Sequence, residues 1–428
     1  MSSTEILPLI ALIAMFVIAT IFPINIGFLG FVGAFAVGAI YLGFDDKEIL
    51  SAFPGSIVLT IVGVTYFFGM AKKNGTIDLL VNVCIRAVRG RVSLIPWVFF
   101  AVASFLTALG TFSPAAVALI APAAMTFAAR SRMSPLVMGI MTINGAHAGA
   151  FSPISVSGII VRDLVEGNGL AIEPWSLFFA SYGINTLLSI LTVVVYAVAS
   201  RVRTLEYTAT GSITTAGAHD IDDEGPSKAN RVQALTLALI AVILVLVLVF
   251  HLPISFIAIA AGIVLAFTDL KKQSDAIAGI SWSTVLLVSG MITYVSILQE
   301  LGTIDHLADM ALLIGAPIVV ALVLCYVIGL TSAFASSTAL LTAIIPLAMP
   351  LLEMGALPIV GVVAALSISA TVVDVSPFST NGALVLANAQ GIDRRVFYKH
   401  LLLNAVAVVA IAPLLCWLIL VIIPNAVG

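Results

Sequence analysis

The chain has 428 residues and a formal net charge of −3, and it is 61% hydrophobic but only 9% charged, with a mean hydropathy of +1.20. A soluble domain carries about a quarter charged residues, so this composition excludes one and points to a polytopic membrane protein. Net charge says nothing about partners here, because in a bilayer what matters is where the charges sit.

Apolar runs fall at Ile6–Phe22, Gly27–Gly43 and Ser56–Ala71, and the first of these lacks the basic start and small-residue cleavage site of a signal peptide. A basic amphipathic stretch follows from Lys72 to Arg91. Val92–Ala129 is apolar but broken at LGTFSPAA, and Pro135–Val161 is broken at Phe151-Ser152-Pro153. Trp175–Ser200 closes the first half. Residues 204–230 are polar, rich in Gly, Thr and Ser and without apolar periodicity, which predicts a linker between halves spanning 1–203 and 231–428. The second half repeats the recipe with Val232–Phe250, Pro253–Thr268 and Trp282–Leu298. Pro317–Leu351 is then broken at TSAFASST, Leu357–Leu386 at Ser376-Pro377, and Leu401–Ile423 ends the series. Cys84, Cys325 and Cys416 are scattered and imply neither a disulfide framework nor a metal spacing.

The repeat has a register. Ser113 and Ser337, Pro122 and Pro346, Ser152 and Ser376, and Pro153 and Pro377 all stand at one and the same offset along the chain. Gly75-Thr76-Ile77-Asp78 recurs as Gly302-Thr303-Ile304-Asp305 at a slightly longer offset, as a small loop insertion would produce. With the breaks near Ser113 and Ser337 placed on re-entrant hairpins (about 92–130 and 317–351), each half crosses the membrane five times, and an odd number forces opposite topologies. The expected fold is therefore an all-α polytopic membrane protein of two inverted-topology repeats, about ten transmembrane helices plus two re-entrant hairpins. With both termini outside, 16 of the 18 Lys and Arg residues fall inside, leaving Lys47 and Arg162 outside. The first hairpin then enters from the cytoplasm and the second from outside.

Polar breaks at membrane depth are tolerated only where they are buried in protein or line a cavity. Inverted repeats of broken helices are how secondary transporters build a site near the midplane. Half-helix N-termini favour anions there, and unwound carbonyls and hydroxyls suit a small cation. Four breaks supply the candidates. Ser113, Ser152, Ser155, Ser337, Thr338, Ser376, Thr380 and Asn381 are expected to contact substrate. Thr111, Asn144, His147, Ser332, Ser336, Asp374 and Ser379 are expected to bind or couple a cation, with sodium at the hairpin tips as the metal possibility. The competing reading is that these hydroxyls bond only their own helices. Asp374 stands where the other half has Ala150, and an intramembrane carboxylate is a functional candidate by default. His147 could titrate near neutral pH or serve only as a hydrogen-bonded packing residue. No intramembrane Lys or Arg is available to pair an anionic substrate.

The segments FPGSIVLTIVGVTYFFGMAKKNGTIDLLV, RGRVSLIPWVFF, SPAAVALIAPAA and GAHAGAFSPISVSGIIV resemble the MatC-type dicarboxylate (malonate) carriers. ASSTALLTAIIP resembles the Ser-Asn-Thr hairpin of the related divalent anion/sodium symporters of the ion transporter superfamily. On that resemblance Ser336, Ser337 and Thr338 form the outer tip, with Ser332 one turn earlier, and Thr380 is the threonine of the following broken span. Phe112, Ser113 and Pro114 stand at the inner tip, where Phe112 and Pro114 depart from the hydroxyl pattern. The resemblance implies scaffold and transport domains, a homodimer and elevator-type movement. The expected function is import of a small dicarboxylate, malonate or a C4 acid, coupled to sodium or protons. The expected location is a bacterial inner membrane, with lipid and substrate as partners and neither cofactor nor nucleic acid. A sodium/proton antiporter of the same superfamily is the alternative. A membrane-embedded hydrolase finds no H-E-x-x-H or G-x-S-x-G motif, so an enzyme is not expected. A passive channel fits paired hairpins less well.

Overall fold

The computed structural model describes residues 3–22, 24–87, 92–131, 133–202, 230–301, 316–333, 336–353, 355 and 357–427. The expected linker (apart from Asn230) and the tetrapeptide at 302–305 lie outside the described residues. Among the described residues every regular element is a helix and there is no strand. That is the solution lipid imposes, because a helix satisfies its backbone hydrogen bonds within one segment.

The first half runs α1 (Ser3–Ile21), α2 (Ile26–Phe35, continuing as a π-helix to Leu42), a short α3 (Asp46–Ser51), α4 (Gly55–Lys73) and α5 (Thr76–Ala87). The hairpin follows as α6 (Ile95–Ala108) and α7 (Ser113–Arg130), then the broken span α8 (Pro135–Gly149) and α9 (Val156–Gly167), and finally α10 (Pro174–Val202). The second half runs α11 (Arg231–Leu248), α12 (Ile254–Ala266), α13 (Lys271–Ala278) and α14 (Trp282–Glu300). Its hairpin is α15 (Pro317–Ser332) and α16 (Ser337–Glu353). Its broken span is α17 (Ile359–Val372) and α18 (Thr380–Ala387), and α19 (Arg394–Trp417) and α20 (Ile423–Val427) close the chain.

Among the described residues, seven helical stretches are long and apolar enough to cross a membrane: Gly55–Lys73, Ser113–Arg130, Pro174–Ala197, Arg231–Leu248, Trp282–Glu300, Ile359–Ala387 and Arg394–Asn425. Shorter apolar helices include the first hairpin arms, Ile95–Ala108 and Pro317–Ser332. Their length suits a segment that enters the bilayer and turns back.

Helix starts repeat the register of the sequence. The starts of α7 and α16, of α8 and α17, and of α9 and α18 stand at the offset that relates Ser113 to Ser337. Those of α4 and α14 stand at the slightly longer offset that relates Gly75 to Gly302, and those of α2 and α12 lie close to it. The packing is reciprocal as well: α2 lies on α14 as α12 lies on α4, and α7 lies on α18 as α16 lies on α9. Such exchanged contacts are what a two-fold relation between halves generates. α8 and α17 are buried almost all round, which is why neither sequence shows an amphipathic stripe.

Small residues permit the closest crossings. A Cβ on Gly290 of α14 would sit 1.9 Å from the Gly27 carbonyl oxygen of α2, and one on Gly63 of α4 would sit 2.6 Å from that of Ser255 of α12. Gly290→Ala therefore forces two backbones apart, at a cost of about 1–3 kcal/mol. A lowered apparent melting temperature in detergent is expected for Gly290→Ala. The comparison is Gly183→Ala, where the added carbon meets nothing within 4 Å, and which should leave the midpoint unchanged or slightly raised.

Candidate functional site

The two broken spans are built by the same local chemistry. After α8, the Ser155 hydroxyl caps α9 by accepting from the Gly158 N–H and donates to the Ala150 and Ser152 carbonyls. After α17, Ser379 caps α18 by accepting from the Gly382 N–H and donates to the Asp374 and Ser376 carbonyls. Gly158 and Gly382 are required at these turns, since a Cβ would meet the Ser152 or Ser376 carbonyl oxygen at 2.2 or 1.9 Å. Ser152 donates to Ala108 O and Ser332 to Ala370 O, so each hydroxyl ties a hairpin to its broken span. Ser376 Oγ accepts from the Phe378 N–H at 3.2 Å. Five hydroxyls that sequence reasoning offered as ligands are thus spent on making the breaks. Asn144 is also turned away from the centre, with its Nδ2 donating to Ser189 Oγ of α10 at 3.1 Å.

The remaining candidates converge. A cavity of about 360 Å³ is lined by Phe112, Ser113, Pro114 and Ala115 of the inner tip and by Ser336, Ser337 and Thr338 of the outer tip. His147, Ala150 and Ser157 of one broken span line it too, as do Thr371, Asp374 and Thr380 of the other. Ser281, Ser283, Thr284 and Leu287 at the start of α14, together with Leu341, complete the wall. Five helices, α7, α9, α14, α16 and α18, therefore turn their N-terminal ends toward one space. The capping residues Phe112 and Ser281 give their helices no side-chain hydrogen bond, which leaves first-turn N–H groups of α7 and α14 without a side-chain cap.

A chain of side-chain contacts runs along this wall, with Asn381 set behind it. Ser337 Oγ donates to Asp374 Oδ2 at 2.9 Å, and His147 Nε2 lies 3.7 Å from that same oxygen. Asn381 Nδ2 lies 3.0 Å from His147 Nε2 and 3.2 Å from Ser113 Oγ. The line Ser113–Asn381–His147–Asp374–Ser337 thus joins the inner tip to the outer one through both broken spans. His147 and Asp374 are 1% and 10% exposed at their side chains. Among the described residues lining the cavity, Asp374 is the one carboxylate, and no Lys or Arg is present.

Thr111 lies beside this space, on a second cavity of about 600 Å³ that shares Phe112, Ala115 and Ser281 with the first. That cavity separates Thr65, Phe68 and Gly69 of α4 from Ala115, Ala118 and Leu119 of α7, and it reaches Lys72, Lys73 and Asp275. In the other half the equivalent helices, α14 and α16, are packed together. Lys73 and Asp275 form a 3.0 Å ion pair there, too exposed to hold the structure closed. A third cavity of about 200 Å³ adjoins through Ser283, Leu287 and Ser336. Asn25 Nδ2 donates to Ser283 O at 2.8 Å beside it.

Sequence reasoning missed Ser281, Ser283 and Thr284. Their signal was a Ser-Trp-Ser-Thr helix start on an otherwise apolar span. Thr371 was missed because it sits inside α17 without a break next to it, and Ser157 because Ser155 beside it explained the turn. Among the described residues, no group of three or more His, Cys, Asp or Glu side chains gathers as a metal site.

Residues 1–150 match the family model described as the N-terminus of the dicarboxylate carrier protein MatC. A search of curated protein sequences finds no match. Among solved structures, the fold is similar to the YdaH transporter of Alcanivorax borkumensis, with a TM-score of 0.62 and 15% identity over 90% of this chain and 89% of that one. It is also similar to MtrF of Neisseria gonorrhoeae, described as illuminating a class of antimetabolite efflux pumps, with a TM-score of 0.61 and 13% identity over 88% and 83%. Residues 1–150 are thus similar to the N-terminal region of the MatC dicarboxylate carriers, and the multi-pass helical membrane fold is similar to that of solved transporters.

Proposed function

We propose that the protein is a secondary active transporter that imports a small dicarboxylate, malonate or a C4 acid, together with sodium or protons. The observation that carries this reading is the convergence of five helix N-termini on a cavity that has neither Lys nor Arg among its described lining residues. A helix N-terminus carries about half a positive charge, and those of α7 and α14 have no side-chain cap, so the cavity favours a carboxylate without a side-chain cation. The cavity volume of about 360 Å³ suits a small ligand. The family match over the first 150 residues supports the dicarboxylate assignment.

An elevator cycle is supported by the asymmetry between halves. The α14–α16 seam is packed, whereas the α4–α7 seam holds a cavity of about 600 Å³ opening toward Lys72 and Lys73. By the Lys/Arg distribution that end is cytoplasmic, so on this reading the state is inward-facing, with both termini outside. A scaffold-mediated homodimer in a bacterial inner membrane completes the proposal.

Uptake of labelled malonate and succinate into proteoliposomes, with and without imposed cation gradients, tests it directly. Cation exchange with no diacid uptake would instead favour the antiporter. Ser337→Ala removes the hydroxyl that donates to Asp374 Oδ2, and hydrogen bonds to charged groups contribute about 1.5–3 kcal/mol. A rise of about 10–100-fold in apparent KM is expected. Ser104→Ala, on the arm of the first hairpin, should stay within about threefold. In a cysteine-free background, Ala118→Cys in the open seam should react with an impermeant maleimide from the cytoplasmic face. Thr342→Cys, buried on α16, should react from outside, and faster during turnover. The reverse sidedness would refute the assigned orientation.

A further inference from the structure

We propose that Phe112 sets the length of the diacid that the carrier accepts. Its ring forms the partition between the central cavity and the larger cavity beside it, and it turns away diacids longer than malonate or a C4 acid. The inference rests on the dicarboxylate-transport reading above and deepens it by naming the residue that bounds the substrate.

The first step is where the partition stands. The central cavity of about 360 Å³ and its neighbour of about 600 Å³ share Phe112, Ala115 and Ser281. Ala115 and Ser281 are small, so the aromatic side chain is the bulk between the two spaces. On one side lie the helix ends that favour a carboxylate, and on the other the lining runs out to Lys72 and Lys73.

The second step is the comparison of the two hairpin tips. In the register of the repeat, Phe112 and Ala115 correspond to Ser336 and Ala339. Ser336 lines both the central cavity and the third cavity of about 200 Å³, whose wall also includes Ala339. The same tip position therefore bounds the central space in both halves. At the outer tip it holds a small hydroxyl residue, and at the inner tip an apolar ring.

The third step is that the ring is held in place. The turn between α6 and α7 is short and is closed by the Thr111 N–H, which donates to Leu106 O at 3.0 Å. Phe112 follows with extended backbone, at φ −63° and ψ 138°, and packs half-buried against the main apolar core. A side chain seated in a close-packed interior resists displacement.

The fourth step is what such a wall does to a diacid. A phenyl ring offers no hydrogen bond, and its face carries the negative side of its quadrupole. A carboxylate pressed against it loses water and gains no partner, which is costly. A short diacid keeps both carboxylates among the helix ends, whereas a longer one anchored there drives its far end into the ring. Specificity of this kind comes from rejecting the wrong ligand as well as from fitting the right one. Phe112 also has no oxygen to accept from the first-turn N–H groups of α7, so they stay available to the substrate.

The test uses the full-length protein in proteoliposomes loaded with unlabelled malonate. Uptake of labelled malonate is measured against external malonate, succinate, glutarate and adipate as competitors. No uptake of labelled malonate or succinate would refute the dicarboxylate reading and this inference with it, whereas uptake without a length preference would refute the inference alone. Given uptake, half-inhibition of the wild type by adipate should need at least about tenfold more acid than by succinate. Phe112→Ala should bring adipate to within about threefold of succinate, and labelled adipate should then enter the vesicles. Alanine is chosen because a serine there would cap α7 and compete with the substrate. Phe112→Leu, which keeps an apolar bulk, should retain the wild-type order. Phe112→Trp should narrow the space and weaken succinate relative to malonate. An identical length order in wild type, Ala and Trp variants would overturn the proposal, as would an equal loss for every diacid in the Ala variant, which a merely structural role produces. Where the Ala variant does not fold, the Trp variant decides by the same criterion.

Discussion

A membrane helix that stops halfway across the bilayer leaves N–H and carbonyl groups unpaired where water cannot serve them, and each such group costs several kcal/mol if left bare. The arrangement of this protein follows from how those groups are satisfied. Ser155 and Ser379 each accept from a backbone N–H in the first turn of the next helix and donate back to carbonyls freed by the break. Gly158 and Gly382 let the chain turn closely enough for this to happen. Ser152 and Ser332 then fasten the hairpins to the breaks through Ala108 and Ala370. Only because the turns are closed in this way do helix ends remain pointed into a cavity rather than collapsing on one another.

The two halves share this scaffolding chemistry and part company at the cavity wall. At the register that pairs Ser113 with Ser337, His147 corresponds to Thr371, Ala150 to Asp374, Ser157 to Asn381 and Phe112 to Ser336. The turn-making serines are duplicated, while the titratable groups occur once each. The backbone repeat therefore builds a near-symmetric frame, and the chemistry sits at the positions where the symmetry is broken. His147 comes from one half and Asp374 from the other, so their contact reports on how the halves are joined.

Much of this was legible in the sequence. The common offset and the paired Ser-Pro breaks pointed to the helix order and the two hairpins, because lipid leaves so few ways to satisfy a backbone. Which hydroxyls face the cavity was not legible. A Ser-Pro-x-Ser stretch suits a ligand set and an N-cap equally well, and Ser155 and Ser379 serve as caps. Asn381 was foreseen as a substrate contact. It is instead fully buried behind the wall, bridging Ser113 and His147, a placement that depends on α7 and α18 meeting across the repeat. The polar first turn of α14 was passed over because nothing local says that a span start at Trp282 will abut a hairpin tip as distant in the chain as Ser337.

The balance of charge in the cavity ties these features to the transport reading. Five helix ends supply at most about two and a half positive charges, fewer where Pro114 removes a donor. A dicarboxylate and ionised Asp374 together bring three negative ones. On the proposed reading, a bound dicarboxylate beside Asp374 therefore exceeds what the helix ends supply, and a cation that arrives with it offsets the excess. Partial occupancy leaves uncompensated charge in a place where moving it through the bilayer is expensive. On the proposed reading, substrate therefore crosses more cheaply when a cation accompanies it. On that reading coupling follows from the electrostatics of the frame, with Asp374, the one carboxylate among the described residues lining the cavity, setting the requirement for the ion.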